Sequence, residues 1–182
     1  KLLQDTYAEW KASPTARQGL QCQDCHMPDR RHLWRGIHDP DMVKSGVEIS
    51  LATDRPRHRP GEDVRATLTI RSVRIGHYFP TYVTPRVVIR GELLDRSGAP
   101  VAGSAREAAI GRDISLNLSR EIADTRIPPG GRFAFEYRHR LGRPDLSLRV
   151  TVTVFPDHCY TRFFESLLAA GAGLGTARIQ NA

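Results

Sequence analysis

The sequence predicts a mainly β protein, in which a short helical and loop segment precedes an immunoglobulin-like antiparallel β-sandwich and a C-terminal helix. Apolar and polar residues alternate over 64–73 and 146–154, as in strands with one buried face. Turn sequences at 95–98 and 128–131 separate short strands, and no helical pattern falls between them. Antiparallel sheets are therefore favoured over alternating strands and helices. Further strands are predicted at 47–51 and 86–94, with strands and loop over 105–127.

The N-terminal segment is predicted to be a helix followed by a long loop. Residues 4–12 have helical spacing, and Ser13-Pro14 ends the helix because a residue before proline avoids the α region. Residues 27–43 show no regular pattern, and a loop of this length is usually functional or wrapped around a ligand. Trp10 and Trp34 are flat side chains that could pack against a planar ligand, although ordinary core packing explains Trp10 equally well.

These patterns divide the chain into three units. Residues 1–46 form the N-terminal segment, 47–157 the sandwich, and 158–182 a helix with a flexible tail. Apolar residues with helical spacing predict that helix over about 159–170, ending at Gly171. We expect the glycine-rich tail to be flexible or to dock on a partner.

Composition and charge narrow the function classes. Hydrophobic residues make up 40% of the 182 residues, enough for a folded domain, and no apolar run is long enough to cross a bilayer. The net charge is +7, yet there is neither a basic run interleaved with aromatic residues nor a recognition helix. We therefore predict no nucleic-acid binding, and a basic surface that attracts acidic partners.

The strongest functional signal is the sequence Cys22-Gln-Asp-Cys25-His26. It matches C-x-x-C-H, the attachment motif of a c-type haem, in which two thiols bind the vinyl groups and the histidine is the proximal iron ligand. A redox dithiol does not require the histidine, and a zinc site needs more ligands than the one remaining cysteine, Cys159, supplies. One covalent haem c is predicted, with the two tryptophans as candidates for haem packing. Because this haem is attached outside the cytoplasm, we expect a periplasmic or extracellular protein, although the chain shows no signal peptide.

The sequence offers several candidates for the distal iron ligand. His77 lies between a glycine and a proline that would place it at a loop tip, and His38 lies twelve positions after His26 on the wrapping loop. Bis-histidine ligation is predicted, with His77 narrowly ahead of His38. We expect His58 and His139 to be solvated because charged residues flank them. The other candidates are His32, His158, Cys159 and Met42, of which the last would give a His/Met site.

Four segments resemble the last haem region and following β-sandwich of periplasmic and extracellular multihaem c-type cytochromes. They are residues 7–14, 19–28, 32–39 and 76–81, the last reading Gly-His-Tyr-Phe-Pro-Thr. The resemblance is good to about residue 100 and loose beyond it. It implies electron transfer and bis-histidine haem, with His38 or His77 as an iron ligand. Those proteins carry several C-x-x-C-H motifs and this chain has one, so one of the two histidines could serve a haem of another chain.

These observations favour an electron-transfer module within a larger redox assembly, with acidic or haem-bearing redox partners. Two alternatives remain open at this stage. A haem with an open distal position would act as an enzyme on a small nitrogen, sulfur or peroxide substrate. A purely structural reading makes the sandwich a docking subunit whose N-terminal segment is stapled by the haem.

Overall fold

The computed structural model describes residues 3–171, and their fold is dominated by antiparallel strands. The strands are β1 Val47–Thr53, β2 Asp63–Ser72, β3 Arg86–Leu94, β4 Arg106–Ile110, β5 Arg112–Ile114, β6 Glu121–Asp124, β7 Arg132–Arg140 and β8 Ser147–Phe155. Strands β1, β2 and β7 form one three-stranded sheet, and β4, β3 and β8 form another, each in that order. Strands β5 and β6 pair separately.

The two three-stranded sheets share one hydrophobic core. Strand β2 alternates buried and less buried residues, as the sequence predicts, and its buried side chains include Leu68 and Ile70. Ile89 of β3 and Tyr137 of β7 belong to the same core and are almost completely buried. The Tyr137 hydroxyl donates a hydrogen bond to the backbone carbonyl of Ser104 at 2.9 Å, so its polar end is satisfied inside the protein.

Short helices precede the sheets and one longer helix follows them. Their bounds are α1 Thr6–Lys11, α2 Pro14–Arg17, α3 Cys22–His26, α4 Pro40–Gly46 and α5 His158–Ala169, with a 3₁₀ turn at Pro28–Arg30. The predicted fold class is confirmed: the protein is mainly β and antiparallel, with short N-terminal helices and a C-terminal helix. Within residues 3–171, no helix is both long and apolar enough to span a membrane. The predicted flexible tail lies beyond the described residues.

The structure corrects two local expectations. Residues 27–43 are not irregular throughout, because α4 begins at Pro40. Asp39 caps this helix by accepting hydrogen bonds from the backbone N–H groups of Asp41 and Met42, both at 3.0 Å. An aspartate followed by proline is a helix-start signal that the loop prediction overlooked.

Strand β1 is the second correction. Its alternation predicts one buried face, but Ile49 and Leu51 are 50% and 49% exposed. They pair with the buried Ile70 and Leu68 of β2, yet β1 is the edge strand of its sheet. The alternation of apolar residues therefore predicted the strand and the face shared with the buried residues of β2. It did not predict that this face of β1 is only partly covered.

The connection between β2 and β3, residues 73–85, links the sheets to the N-terminal helices. Phe79 and Ile127 exchange two backbone hydrogen bonds, both 2.8 Å long, which fix the middle of this connection to the segment after β6. On its other side, the hydroxyls of Thr6 and Thr81 are hydrogen-bonded at 2.7 Å. The connection is thus held between the sheet region and helix α1.

Candidate functional site

A cavity of about 800 Å³ lies between the N-terminal helices and the β2–β3 connection. This volume falls within the range of roughly 300–1,000 Å³ that is usual for small-molecule and cofactor sites. Apolar side chains from both sides line it, among them Ile37, Val43, Ile75 and Phe79. The cavity therefore has the character expected for a large, mostly apolar ligand.

The two motif cysteines lie on the wall of this cavity. Cys22 and Cys25 belong to helix α3, where a spacing of three places both side chains on neighbouring positions of one helical face. The helix begins with a hydrogen bond from the Gln21 N–H to the Asp24 carboxylate, at 2.7 Å. Both thiols are partly accessible and neither is in a disulfide, so they are available for covalent attachment of a ligand in the cavity.

His26, the last residue of α3, has its ring oriented by the backbone. Its Nδ1 is hydrogen-bonded to the carbonyl oxygen of Arg35. A carbonyl can only accept, so Nδ1 carries the proton and the Nε2 lone pair is left for a metal. Arg35 is held in turn by an ion pair with Asp39, and this hydrogen bond lowers the pKa of Asp39 far below its ordinary value. Orientation of a ligand imidazole by a backbone carbonyl is the usual arrangement in metal sites.

His77 on the β2–β3 connection has the same arrangement. Its Nδ1 donates to the carbonyl oxygen of Tyr78 at 2.9 Å, which leaves its Nε2 lone pair available. Burial lowers the pKa of His77 below its usual value, so the imidazole is neutral, the form that binds metals. The side chain lines the cavity on the wall formed by residues 73–85.

The His26 and His77 rings are nearly parallel, with an interplanar angle of 9° and centroids 6.0 Å apart. Rings in face-to-face contact would lie closer, at about 3.5–4.0 Å. Metal–imidazole bonds are about 2.0 Å long, so two such bonds and the two ring radii together span roughly 6 Å. A centroid separation of this size would allow His26 and His77 to hold one metal ion between them, and Cys22 and Cys25 on the wall of the same cavity would be placed to attach a haem.

The other predicted site residues also line the cavity, in different settings. Trp34 lies next to His26, with ring centroids 5.4 Å apart and an interplanar angle of 22°. Trp10 donates from its indole nitrogen to the Leu20 carbonyl at 3.0 Å, which fixes the ring at the cavity wall. The His38 side chain is 63% exposed, and its Nε2 is hydrogen-bonded to Asp157 at 3.0 Å, at the start of α5. The structure thus brings His77, but not His38, alongside His26; the choice of distal ligand stays a prediction.

The remaining ligand candidates are more scattered. Met42 lines the cavity, whereas His32, His58 and His139 do not. The expectation that His58 is solvated is wrong, because its side chain is 6% exposed and its Nε2 is hydrogen-bonded to Asp54 at 2.9 Å. His158 and Cys159 line a smaller cavity beside β4 and β5. Within residues 3–171, no group of three or more His, Cys, Asp or Glu side chains is arranged to hold a metal ion.

Sequence reasoning missed a buried ion pair beside the cavity. The Arg126 guanidinium and the Glu9 carboxylate are 2.7 Å apart, and their side chains are 7% and 10% exposed. Glu9 belongs to α1 and Arg126 to the segment after β6, so 117 positions separate them. No local pattern signals such a pair.

The fold is similar to part of a multihaem cytochrome. A penta-haem cytochrome c552 from Thermochromatium tepidum matches 94% of this chain with a TM-score of 0.68 and 18% sequence identity. The chain spans 46% of that protein, somewhat less than half its length. A second solved structure, Northeast Structural Genomics Consortium target SoR45, has a TM-score of 0.31 over 62% of this chain, at 12% identity, and supports no argument. No protein-family model matches the chain, and no curated protein matches it significantly.

Proposed function

We propose that this chain is an electron-transfer module that carries one covalent haem c, bound through Cys22 and Cys25 with His26 and His77 as axial ligands. The observation that carries the proposal is the pair of parallel imidazoles, 6.0 Å apart, on the wall of the cavity that contains both motif cysteines. Each imidazole donates through Nδ1 to a backbone carbonyl, so each Nε2 is available for iron. When bound, haem supplies a one-electron ferric–ferrous couple.

The residues around the cavity favour electron transfer over substrate chemistry. If His26 and His77 both held the iron, no coordination position would be left for a substrate. Backbone carbonyls fix both rings, so little movement is needed when the oxidation state changes. Trp34 is exposed and lies against His26, which brings the protein surface close to the proximal ligand. These features support rapid electron exchange with an external partner.

The proposal includes operation outside the cytoplasm, within a larger redox assembly. Its support is the similarity to less than half of a penta-haem cytochrome, together with the single haem motif of this chain. The net charge of +7 suits acidic or haem-bearing partners, whose association would slow as ionic strength rises. His38 is exposed and lines the cavity, and if it does not serve the haem of this chain it could bind a neighbouring group by exchanging its hydrogen bond with Asp157.

Three measurements on protein exported by a host with haem-attachment machinery test the proposal. Intact mass should exceed the 20.4 kDa chain by one haem, and acidified acetone should not extract the colour. His77→Ala should convert the ferric spectrum from low-spin to high-spin with the haem still attached. The matched control is His38→Ala, which also removes a cavity-lining imidazole and should leave the spectrum low-spin. The reverse pattern would show that His38 is the distal ligand.

A further inference from the structure

We propose that the buried Glu9–Arg126 ion pair is a positioning device that keeps His77 on the haem iron, so that helix α1 controls occupancy of the distal position. This inference rests on the proposed function, because it concerns the ligand assigned there. Neither Glu9 nor Arg126 lines the cavity that contains His26 and His77. Both act through the backbone that carries His77.

The carboxylate of Glu9 binds the β2–β3 connection directly beside His77. Its Oε2 accepts hydrogen bonds from the Tyr78 backbone N–H and from the Thr81 hydroxyl, both at 3.1 Å. The carbonyl of the same Tyr78 accepts the hydrogen bond from His77 Nδ1. Tyr78 thus binds Glu9 through its backbone N–H and the His77 imidazole through its carbonyl. Movement of the Tyr78 backbone would therefore turn the His77 ring.

Arg126 completes the arrangement from the other side. It contacts Glu9 Oε1 and the Thr81 carbonyl oxygen, both at 2.7 Å, and it also pairs with Asp124. Its guanidinium carbon lies 5.0 Å from the centroid of the Tyr78 ring, a cation–π distance. The arginine therefore holds the connection before and after Phe79, while helix α1 holds it through Glu9.

The chemistry of the site requires a carboxylate. Three donors face Glu9: the Tyr78 N–H, the Thr81 hydroxyl and the Arg126 guanidinium. A carboxylate accepts all three, whereas the NH₂ group of glutamine would face a donor and lose at least one hydrogen bond. The pair is also nearly excluded from solvent, so replacing Glu9 would leave the Arg126 guanidinium with little water and with Asp124 as its remaining carboxylate partner.

The Glu9–Arg126 ion pair is not the only restraint on the β2–β3 connection. The two backbone hydrogen bonds between Phe79 and Ile127 hold it independently of Glu9. We therefore expect Glu9 variants to retain the overall fold and the covalent haem, and to lose only the tight placement of His77. Faster cyanide binding in a variant that keeps its fold and its haem would therefore report the placement of His77 and not a general loss of stability.

The experiment compares Glu9→Gln and Glu9→Ala with the wild-type holoprotein. We expect both variants to keep the haem and to bind cyanide to ferric iron faster, because His77 leaves the iron more often. Loss of a hydrogen bond to a charged group predicts an increase of about 10- to 100-fold in the dissociated fraction, larger for Ala than for Gln. The matched control is Glu48→Gln on β1, which removes the carboxylate of an exposed ion pair with Arg71 of β2. This variant should leave the rate of cyanide binding unchanged.

His77→Ala, measured alongside, separates the two proposals. If it is not high-spin, His77 is not the ligand and the proposed function fails at that point. If His77→Ala is high-spin and binds cyanide fast while both Glu9 variants behave as wild type, the assignment of His77 as ligand stands. The proposed positioning role of the Glu9–Arg126 ion pair is then refuted. Added imidazole should restore a low-spin spectrum in every variant in which only the ligand has been lost. Should Glu9→Ala fail to fold, Glu9→Gln and Thr81→Val, which removes the hydroxyl donor, decide the question alone.

Discussion

Replacing Gly91 with alanine tests how closely the two sheets approach each other. Gly91 lies in the middle of β3, and its backbone faces aromatic rings of β7. A methyl group there would lie 2.7 Å from Cδ2 of Tyr137 and 3.1 Å from Cε1 of Phe135. Both rings are buried, and the hydroxyl of Tyr137 is fixed to the Ser104 carbonyl, so neither ring can move away freely.

The size of the effect follows from two opposing terms. Overpacking a well-packed core costs about 1–3 kcal/mol. Replacing glycine by alanine also restricts the unfolded chain, which returns about 0.4–1 kcal/mol. We expect a net loss of about 1–2 kcal/mol in the free energy of unfolding. For a domain of this size, this corresponds to a decrease in Tm of about 2–8 °C.

Thermal unfolding followed by circular dichroism measures this change, with equal haem content in every sample. Gly142→Ala is the control, because a methyl group there meets no atom within 4 Å and the residue is exposed. We expect its Tm to equal or slightly exceed that of the wild type. A Gly91→Ala protein as stable as the Gly142→Ala protein would refute the close approach of β3 to the β7 rings.

Three further predictions concern other parts of the molecule. Ser72→Ala should raise the free energy of unfolding by about 1 kcal/mol, measured in urea, because the buried hydroxyl has no hydrogen-bond partner among residues 3–171. Burial, with a further contribution from neighbouring arginines, lowers the pKa of His158 in the folded state. As the pH falls below about 6.5, the unfolded state therefore takes up a proton before the folded state does. The free energy of unfolding should decrease from pH 7.5 to 5.5, and it should decrease less in His158→Gln. A Cys22→Ala/Cys25→Ala protein, which cannot attach haem, should be cut by limited proteolysis within residues 3–46 before the strands are cut; equal cleavage rates in the two regions would contradict this.

Local patterns predicted the strands well because alternation along the chain shows which residues share one face of a strand. The alternation from Val64 to Ile70 correctly identified the buried face of β2. The same kind of pattern in β1 gave the right element but the wrong burial for Ile49, because alternation reports a face and not what covers it. Whether a strand lies at the edge of a sheet depends on distant pairings, such as β2 with β7, that no short window contains.

Candidate site residues that are close together in the sequence were easier to predict than those that the fold brings together. Cys22, Cys25 and His26 follow from one pentapeptide, because haem attachment fixes their spacing. His77 was only narrowly preferred over His38, since closure of a long loop costs little and sequence distance does not discriminate between them. The Glu9–Arg126 pair was not predictable, because the partners are 117 positions apart and meet only once the fold exists.

The two parts of the chain differ in what holds them together. Within the described residues, helices α1, α2 and α3 contain no buried residue, and α4 contains only Gly46. The strands, by contrast, contribute nearly all of the buried core. A segment with so little apolar burial cannot offset the entropy of ordering its backbone. Its order therefore depends on partly buried contacts, those of Ile37 and Val43 with the core and those of α1 with the β2–β3 connection, and we expect a ligand in the cavity to add to them. We expect a haem c bound at this junction to form part of the packing between the two parts, so that ordering of the N-terminal segment would be coupled to ligation by His77.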